Sequence, residues 1–344
     1  MTENILFICG SLNQTTQMHQ IASQLPSSYN CHFTPYYADG VEDLAASLGW
    51  LDFTVLGGRH MRDTRRYLTE QRLSVDERGE GRDYDLVVTC SDLIVQKNIR
   101  GKRIVLVQEG ITEPENWTYS LVRTLPFLPR YLANTAASGL SNAYDIFCVA
   151  SEGYREQFIR KGVRAEKLAV TGIPNFDNIQ AHLQNKFPYR NYALVATTPY
   201  RESLRYEDRM EFLRQCVGIV DGREVIFKLH PAEDFDRAFS EIRSVFPQAL
   251  VFHHGNVNHM IANADVVITQ QSTCTFVSLA LEKETHTLLD PDHLRRLMPI
   301  QNNGASAAHI ANICKRLLHT PMPVLEQIRK GYRPRPRWEQ ADAW

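Results

Sequence analysis

The chain has 344 residues, 43% of them hydrophobic and 22% charged, and a formal net charge of −1. This is the composition of a globular protein with room for two domains, which excludes a disordered chain. The near-neutral balance supplies no whole-chain attraction for nucleic acid.

Ile5 to Cys9 is a continuous apolar run and reads as a buried strand that stops at Gly10-Ser11. Helical spacing follows through Met18, Ile21, Ala22 and Leu25, until Pro26 ends it. The start also lacks the basic flank and long apolar stretch of a secretion signal. Strand, tight turn and helix then recur. Phe53 to Leu56 ends at Gly57-Gly58, Leu86 to Thr89 at Cys90-Ser91-Asp92, and Ile104 to Val107 at Gln108-Glu109-Gly110. Ile146 to Ala150 leads into a helix over Tyr154 to Lys161, and Leu168 to Val170 closes at Gly172-Ile173-Pro174. Apolar strands alternating with helices imply a parallel sheet covered on both faces.

The rhythm lapses from about Asn175 to Arg190 and resumes at Tyr192 to Ala196, which ends in Thr197-Thr198-Pro199. Val225 to Leu229 (ending at His230-Pro231), Leu250 to Phe252, Asp265 to Thr269 and Thr287 to Leu289 are the further strands, and a helix over Ala307 to Leu318 closes this half. The division expected is a first domain over 1–178, a linker over 179–190, a second domain over 191–320, and a Pro-rich tail over 321–344 with one short helix. The fold class is therefore α/β, with two doubly wound Rossmann-like domains facing across a cleft. Ligands of such sheets bind beyond the carboxyl ends of the strands.

Polar residues gather at those ends. Thr197, Thr198, Lys228, His230, Pro231, Gln271, Ser272 and Thr273 form the candidate nucleotide-binding set, because small hydroxyl residues at a helix start leave backbone N–H groups for phosphate oxygens. The competing reading of Ser272 or Thr273 is a plain helix cap. In the first half, Glu109 stands at a strand end before a glycine, where a carboxylate can take a proton from a hydroxyl. The alternative for Glu109 is pairing with Arg59, Arg62 or another first-half arginine. Asp92 is the second catalytic candidate, and Gly10, Ser11 and Thr15 mark the first strand–helix turn as acceptor-side contacts or as a simple cap. The arginines between Arg59 and Arg66, and those of the tail, read as solvated faces.

No P-loop, dinucleotide fingerprint, nucleophile elbow or H-E-x-x-H motif is present. His253, His254 and His259 lack a carboxylate or cysteine partner at metal-ligand spacing, so no metal site is expected, and the stretch over 256–263 reads as a surface helix. The seven cysteines are scattered, odd in number and without a C-x-x-C pair, which suits reduced, mostly buried thiols in a cytoplasmic protein. No run reaches the roughly 18 apolar residues of a membrane span. Trp117 to Leu140 interleaves aromatic, aliphatic and arginine residues. It reads either as an amphipathic lid touching a membrane or as a core helix pair or dimer contact.

Two similar α/β halves, the F-K-L-H-P strand end and the A-D-V-V-I-T-x-x-S-T segment before an apolar helix resemble the GT-B superfamily of glycosyltransferases. Within it, the chain is most similar to the branch of CDP-glycerol glycerophosphotransferases, capsule-type transferases and UDP-N-acetylglucosamine epimerases. Val107 to Gly110 and Val170 to Asp177 resemble that branch too, and the likeness runs in order over nearly the whole chain. It implies a metal-independent enzyme that needs no cofactor beyond its nucleotide-activated sugar. The nucleotide would rest on His230 and Ser272-Thr273, and a glycan or lipid-linked acceptor on the first domain. Glu109 falls where relatives carry a His or Glu. The helix after Ser272 departs from the pattern, since its first acid is Glu282 and no earlier Glu is available to hold a uridine ribose. The H-P and S-T pair looks more like cytidine-nucleotide transferases, and both nucleotides stay open. The expectation is transfer to an acceptor hydroxyl in cell-surface glycan synthesis. The alternatives are a sugar-nucleotide epimerase using Glu109 and Asp92, or a non-catalytic binding protein on the same scaffold.

Overall fold

The computed structural model describes residues 3–331 apart from 53, 113–114, 126–127, 204–205 and 271. Its strands form two all-parallel sheets. The first holds β1 (Asn4–Cys9), β2 (Asn30–Pro35), β3 (Leu86–Thr89), β4 (Arg103–Val107), β5 (Ile146–Val149) and β6 (Leu168–Val170), in the spatial order β2-β1-β3-β4-β5-β6. The second holds β7 (Ala193–Ala196), β8 (Val225–Lys228), β9 (Leu250–Phe252), β10 (Val266–Thr269) and β11 (Glu284–His286), in the order β11-β10-β7-β8-β9. Strand order therefore reverses between β1 and β3, and again between β7 and β10. Such points open a crevice beyond the strand ends.

The continuous apolar strands behave as expected. Ile5 and Phe7 join one core cluster while Leu6 and Ile8 join another, so alternate side chains of β1 bury on opposite faces of the first sheet.

Several expectations change. Residues 54–56 form a turn and not a strand, and Phe53 lies outside the described residues. The edge strand beside β1 is instead β2, with the sequence N-C-H-F-T-P, in register from Asn4 opposite Asn30 to Cys9 opposite Pro35. An edge strand needs less apolar continuity and tolerates proline. The last strand, β11, lies three residues before the apolar Thr287–Leu289 run, again at an edge. The helix over 257–263 buries Met260, Ile261 and Ala262, so it is not simply a surface helix.

The helix Ser306–His319 falls within 191–320 in chain order but does not cover the second sheet. It lays Ala307, Ile310, Ala311, Cys314 and Leu317 against the first sheet, in one cluster with Ile5, Phe7 and Val105. Burial of each large aliphatic side chain there contributes about 1.5–3 kcal/mol, so this crossing ties the chain's end to its beginning. The apolar stripe of a helix does not say which sheet it will cover. The following helix, Met322–Gly331, is held by Arg329, whose guanidinium donates to both carboxylate oxygens of Asp145 at 2.7 and 2.8 Å.

Trp117–Leu140 is neither simply core nor simply lid. A helix over Trp117–Thr124 and a 3-10 stretch over Arg130–Ala137 share a small core of Tyr119, Val122, Ala133, Ala136 and Ala137, while Trp117, Leu121 and Leu132 are exposed. Among the described residues no helix is long and apolar enough to cross a membrane. All seven cysteines are free, five of them buried.

The two halves meet closely. A Cβ on Gly153 would come within 2.0 Å of the Arg296 carbonyl oxygen, and the Ser151 hydroxyl donates to the Leu297 carbonyl at 3.1 Å.

Candidate functional site

The turn after β1 and the end of β4 build one wall of the cleft together. Ser11 caps the helix Leu12–Ala22, accepting from the Gln14 N–H at 3.2 Å. That contact leaves the Ser11 hydroxyl hydrogen for Glu109, whose Oε1 it reaches at 2.8 Å. Asn13 Nδ2 donates to the same oxygen at 3.3 Å, and Gln14 Nε2 donates to Oε2 at 2.6 Å. The Gln17 amide holds the Glu109 backbone carbonyl at 2.9 Å. Glu109 is thus gripped by neutral donors of the opposite turn and not by an arginine. A carboxylate offers about four lone-pair positions, so Oε2, with its single donor, keeps one for a substrate proton.

Gly10 is needed for this grip. A Cβ there would lie 2.0 Å from Gln14 Oε1, displacing the amide that holds Glu109. Thr15 lies beneath, buried, with its hydroxyl on the Ser11 carbonyl at 2.8 Å and beside Thr64 at 3.1 Å.

Asp92 does not join them. It is buried, and its two carboxylate oxygens accept the backbone N–H groups of Gly139 at 2.9 Å and Ser141 at 3.0 Å. The loop over 139–141 folds onto the strand end, buries the carboxylate and is anchored by it.

Arg59, expected on a solvated face, and its neighbour His60 enter the cleft instead. The helix Gly58–Glu70 starts with Arg59 and His60 in its first turn. Arg59 Nη1 donates to the Pro231 carbonyl of the second half, and its Nε pairs with Asp63 at 3.3 Å. His60 is half-buried, and burial lowers its pKa against the opposing pull of Glu109. Arg65 and Arg66 do behave as surface groups, paired with Glu77 and Asp63 respectively. The signal was the double glycine, which marks where the helix starts and so which residues form its first turn.

On the second wall, His230 follows β8. Its Nδ1 accepts the Ala232 N–H at 3.1 Å, which assigns the ring proton of the neutral form to Nε2. The ring is open to the cleft yet enclosed by protein, and its pKa falls to about 4, through burial first and then the positive charges of Lys228, His60 and Arg59. His60 therefore lies within electrostatic reach of both Glu109 and His230, linking the two walls.

Lys228 is buried and gives its ammonium to the carbonyls of Leu229 at 2.7 Å and His253 at 3.1 Å, so it braces the turn. The Pro231 carbonyl also accepts from His253 Nε2 at 3.2 Å. Thr197 is buried with its hydroxyl on Glu233, and the Thr198 hydroxyl oxygen is buried without a protein partner. Ser272 accepts the Cys274 N–H at 3.2 Å, a turn just ahead of the helix Cys274–Ala280. Thr273 makes no capping bond, and its methyl lies 2.9 Å from where a Cβ of Gly110 would stand, which brings the ends of β4 and β10 together across the cleft. Gln271 lies outside the described residues. Among the described residues no group of three His, Cys, Asp or Glu side chains is gathered for a metal ion.

No protein-family model matches the chain, and no curated protein sequence does. Solved structures match in architecture. UDP-GlcNAc 2-epimerase from Neisseria meningitidis, bound to UDP-GlcNAc, aligns with a TM-score of 0.56 at 9% identity over 91% of this chain and 100% of that one. The chain has the GT-B fold. UDP-N-acetylglucosamine 2-epimerase from Rickettsia bellii gives 0.55 at 10% identity, covering 95% of this chain and 99% of its own. The Methanocaldococcus jannaschii UDP-GlcNAc 2-epimerase, in complex with UDP-GlcNAc and UDP, gives 0.53 at 14%, covering 91% and 99%. At such identities the likeness is one of fold, and the chemistry has to be argued from the cleft itself.

Proposed function

We propose that the chain is a metal-independent transferase that moves a sugar or polyol-phosphate group from a nucleotide-activated donor to an acceptor hydroxyl. The observation that carries this reading is a pair of groups on opposite walls, Glu109 with an open carboxylate lone pair and His230 presenting Nε2–H, with His60 in electrostatic reach of both. Glu109 takes the acceptor proton. His230 donates a hydrogen bond to the diphosphate, and Arg59, two residues from the Gly57 turn, adds positive charge as the leaving group departs. The nucleotide lies along the ends of β7, β8 and β10, and the acceptor along Gly10 and Ser11.

Asp92 favours transfer over epimerisation. An epimerase of this kind needs several acids around the sugar, and the Asp92 carboxylate is committed to the loop over 139–141.

The test is a thermal-shift screen of the purified chain against CMP, CDP, UDP, GDP and ADP without metal. A ligand that binds only the folded state raises the melting point by mass action. A selective cytidine or uridine shift that disappears in His230→Ala supports the site and names the donor class. No shift at millimolar nucleotide refutes it.

A further inference from the structure

Behind the candidate nucleotide wall lies a buried chain of charged side chains that neither wall uses for contact. Glu233, three residues after His230, accepts the His230 backbone N–H through Oε2 at 2.7 Å, and the same oxygen takes the Thr197 hydroxyl. Its Oε1 is held by the Arg209 guanidinium. Arg209 Nε donates to Glu207 at 3.1 Å, and Glu207 Oε1 accepts the Gln270 side-chain amide at 3.0 Å. The side chains of Glu207, Arg209 and Glu233 are each 3% exposed or less. One continuous set of buried contacts therefore joins the residues that follow β7, β8 and β10.

We infer that Glu233 is a positioning residue: with Arg209 and Glu207 it fixes the His230 turn against Thr197 and Gln270, and so sets the spacing of the three strand ends that receive the diphosphate. This rests on the transferase reading for what the strand ends receive, but not for the positioning itself. The argument is one of acceptor count. A single carboxylate satisfies a backbone N–H, a hydroxyl and a guanidinium at once. An amide of the same shape cannot, because turning its oxygen to Arg209 points its NH2 at the His230 N–H, and turning it the other way points its NH2 at the guanidinium. The ring of His230 is locked in turn, since Nδ1 accepts the Ala232 N–H inside the turn that Glu233 closes.

The experiment records spectra of the full chain labelled with 15N-histidine, with the His230 signal identified by its loss in His230→Gln. In the native chain His230 is expected to be a neutral ring protonated at Nε2 throughout pH 5–7. In Glu233→Gln both ring tautomers are expected to appear, because the turn that holds the Ala232 N–H on Nδ1 is no longer fixed. CDP or UDP, whichever binds the native chain, is expected to bind about 10- to 100-fold more weakly, the scale of loss seen when the group that orients a metal-binding histidine is removed. A folded Glu233→Gln chain whose His230 keeps its single tautomer overturns the inference. Should that variant fail to fold, Thr197→Val removes the neutral member of the same set. It is expected to move the signal in the same direction by less, and an unmoved signal again overturns the inference. If the native chain binds neither nucleotide, the transferase reading fails, and the His230 spectra still decide the positioning.

Discussion

Replacing Glu109 by glutamine separates its two roles. In the native cleft Oε1 accepts from Ser11 at 2.8 Å and Asn13 at 3.3 Å, and Oε2 accepts from Gln14 at 2.6 Å. In Glu109→Gln the new NH2 must face one of these donors. If it faces Gln14, that amide has to flip, which turns its NH2 toward the position where Gln14 Oε1 now sits buried, unpartnered and hard against Gly10. The flip exchanges one unpartnered atom for another, so the cost is that of replacing bonds to a charged acceptor by bonds to a neutral amide, about 1–2 kcal/mol. For a cooperative unit of domain size this lowers the melting temperature by roughly 2–4 °C per kcal/mol. Turnover should fall far more, by about 10²- to 10⁴-fold, the contribution of a positioned general base. The assay pairs a melting curve with release of nucleotide from the donor that the thermal-shift screen selects. The nucleotide-induced shift is expected to survive, because the nucleotide contacts belong to the other wall. Turnover within a few-fold of native refutes the base assignment, and loss of nucleotide binding would show that the two walls are not separable as argued.

Asp92→Asn should behave in the opposite way: destabilised by about 1–3 kcal/mol through the N–H groups of Gly139 and Ser141, with turnover per folded molecule unchanged. Melting and specific activity measured on the same sample check this. His230, held near pH 4 in the free protein, should bind protons more tightly beside a diphosphate, so nucleotide affinity is expected to rise as pH falls from 7 toward 5, with proton uptake on binding. Calorimetry in buffers of different ionisation enthalpy measures that uptake. The same depressed value means that the unfolded chain takes up this proton first, so His230 erodes stability as pH falls from about 6.5 toward 4. The melting temperature should therefore drop less over that window in His230→Gln than in the native chain. Gly153→Ala puts a methyl 2.0 Å from the Arg296 carbonyl and should cost about 1–3 kcal/mol by forcing the halves apart, which a melting curve will show.

What the sequence made legible follows from how each element is stabilised. Strands buried on both faces are written as unbroken apolar runs, and β1, β3, β4, β5, β7, β8 and β10 fell close to where those runs lie. The edge strands β2 and β11 bury less and carry polar residues, so their runs are broken and they were missed or shifted. Helix Ser306–His319 announced itself by its apolar stripe, but the sheet it covers is a choice made in three dimensions. The site divides in the same way. The strand-end rule placed Glu109 and His230 at the crevice, where both stand on short, direct turns. It also selected Asp92, since the rule places a residue near the crevice but cannot say whether a loop 47 positions later will return to claim its carboxylate. Arg59 and His60 were hidden for the converse reason. Their run of arginines has the composition of a solvated face, and only the first turn of the helix, fixed by Gly57-Gly58, reaches Pro231 on the other wall. Strand-end chemistry can be read within one half of such a chain. The partnership between halves, on which a cleft enzyme depends, is carried by contacts such as Arg59 with Pro231, Gly110 with Thr273 and Gly153 with Arg296, whose members lie more than 140 residues apart.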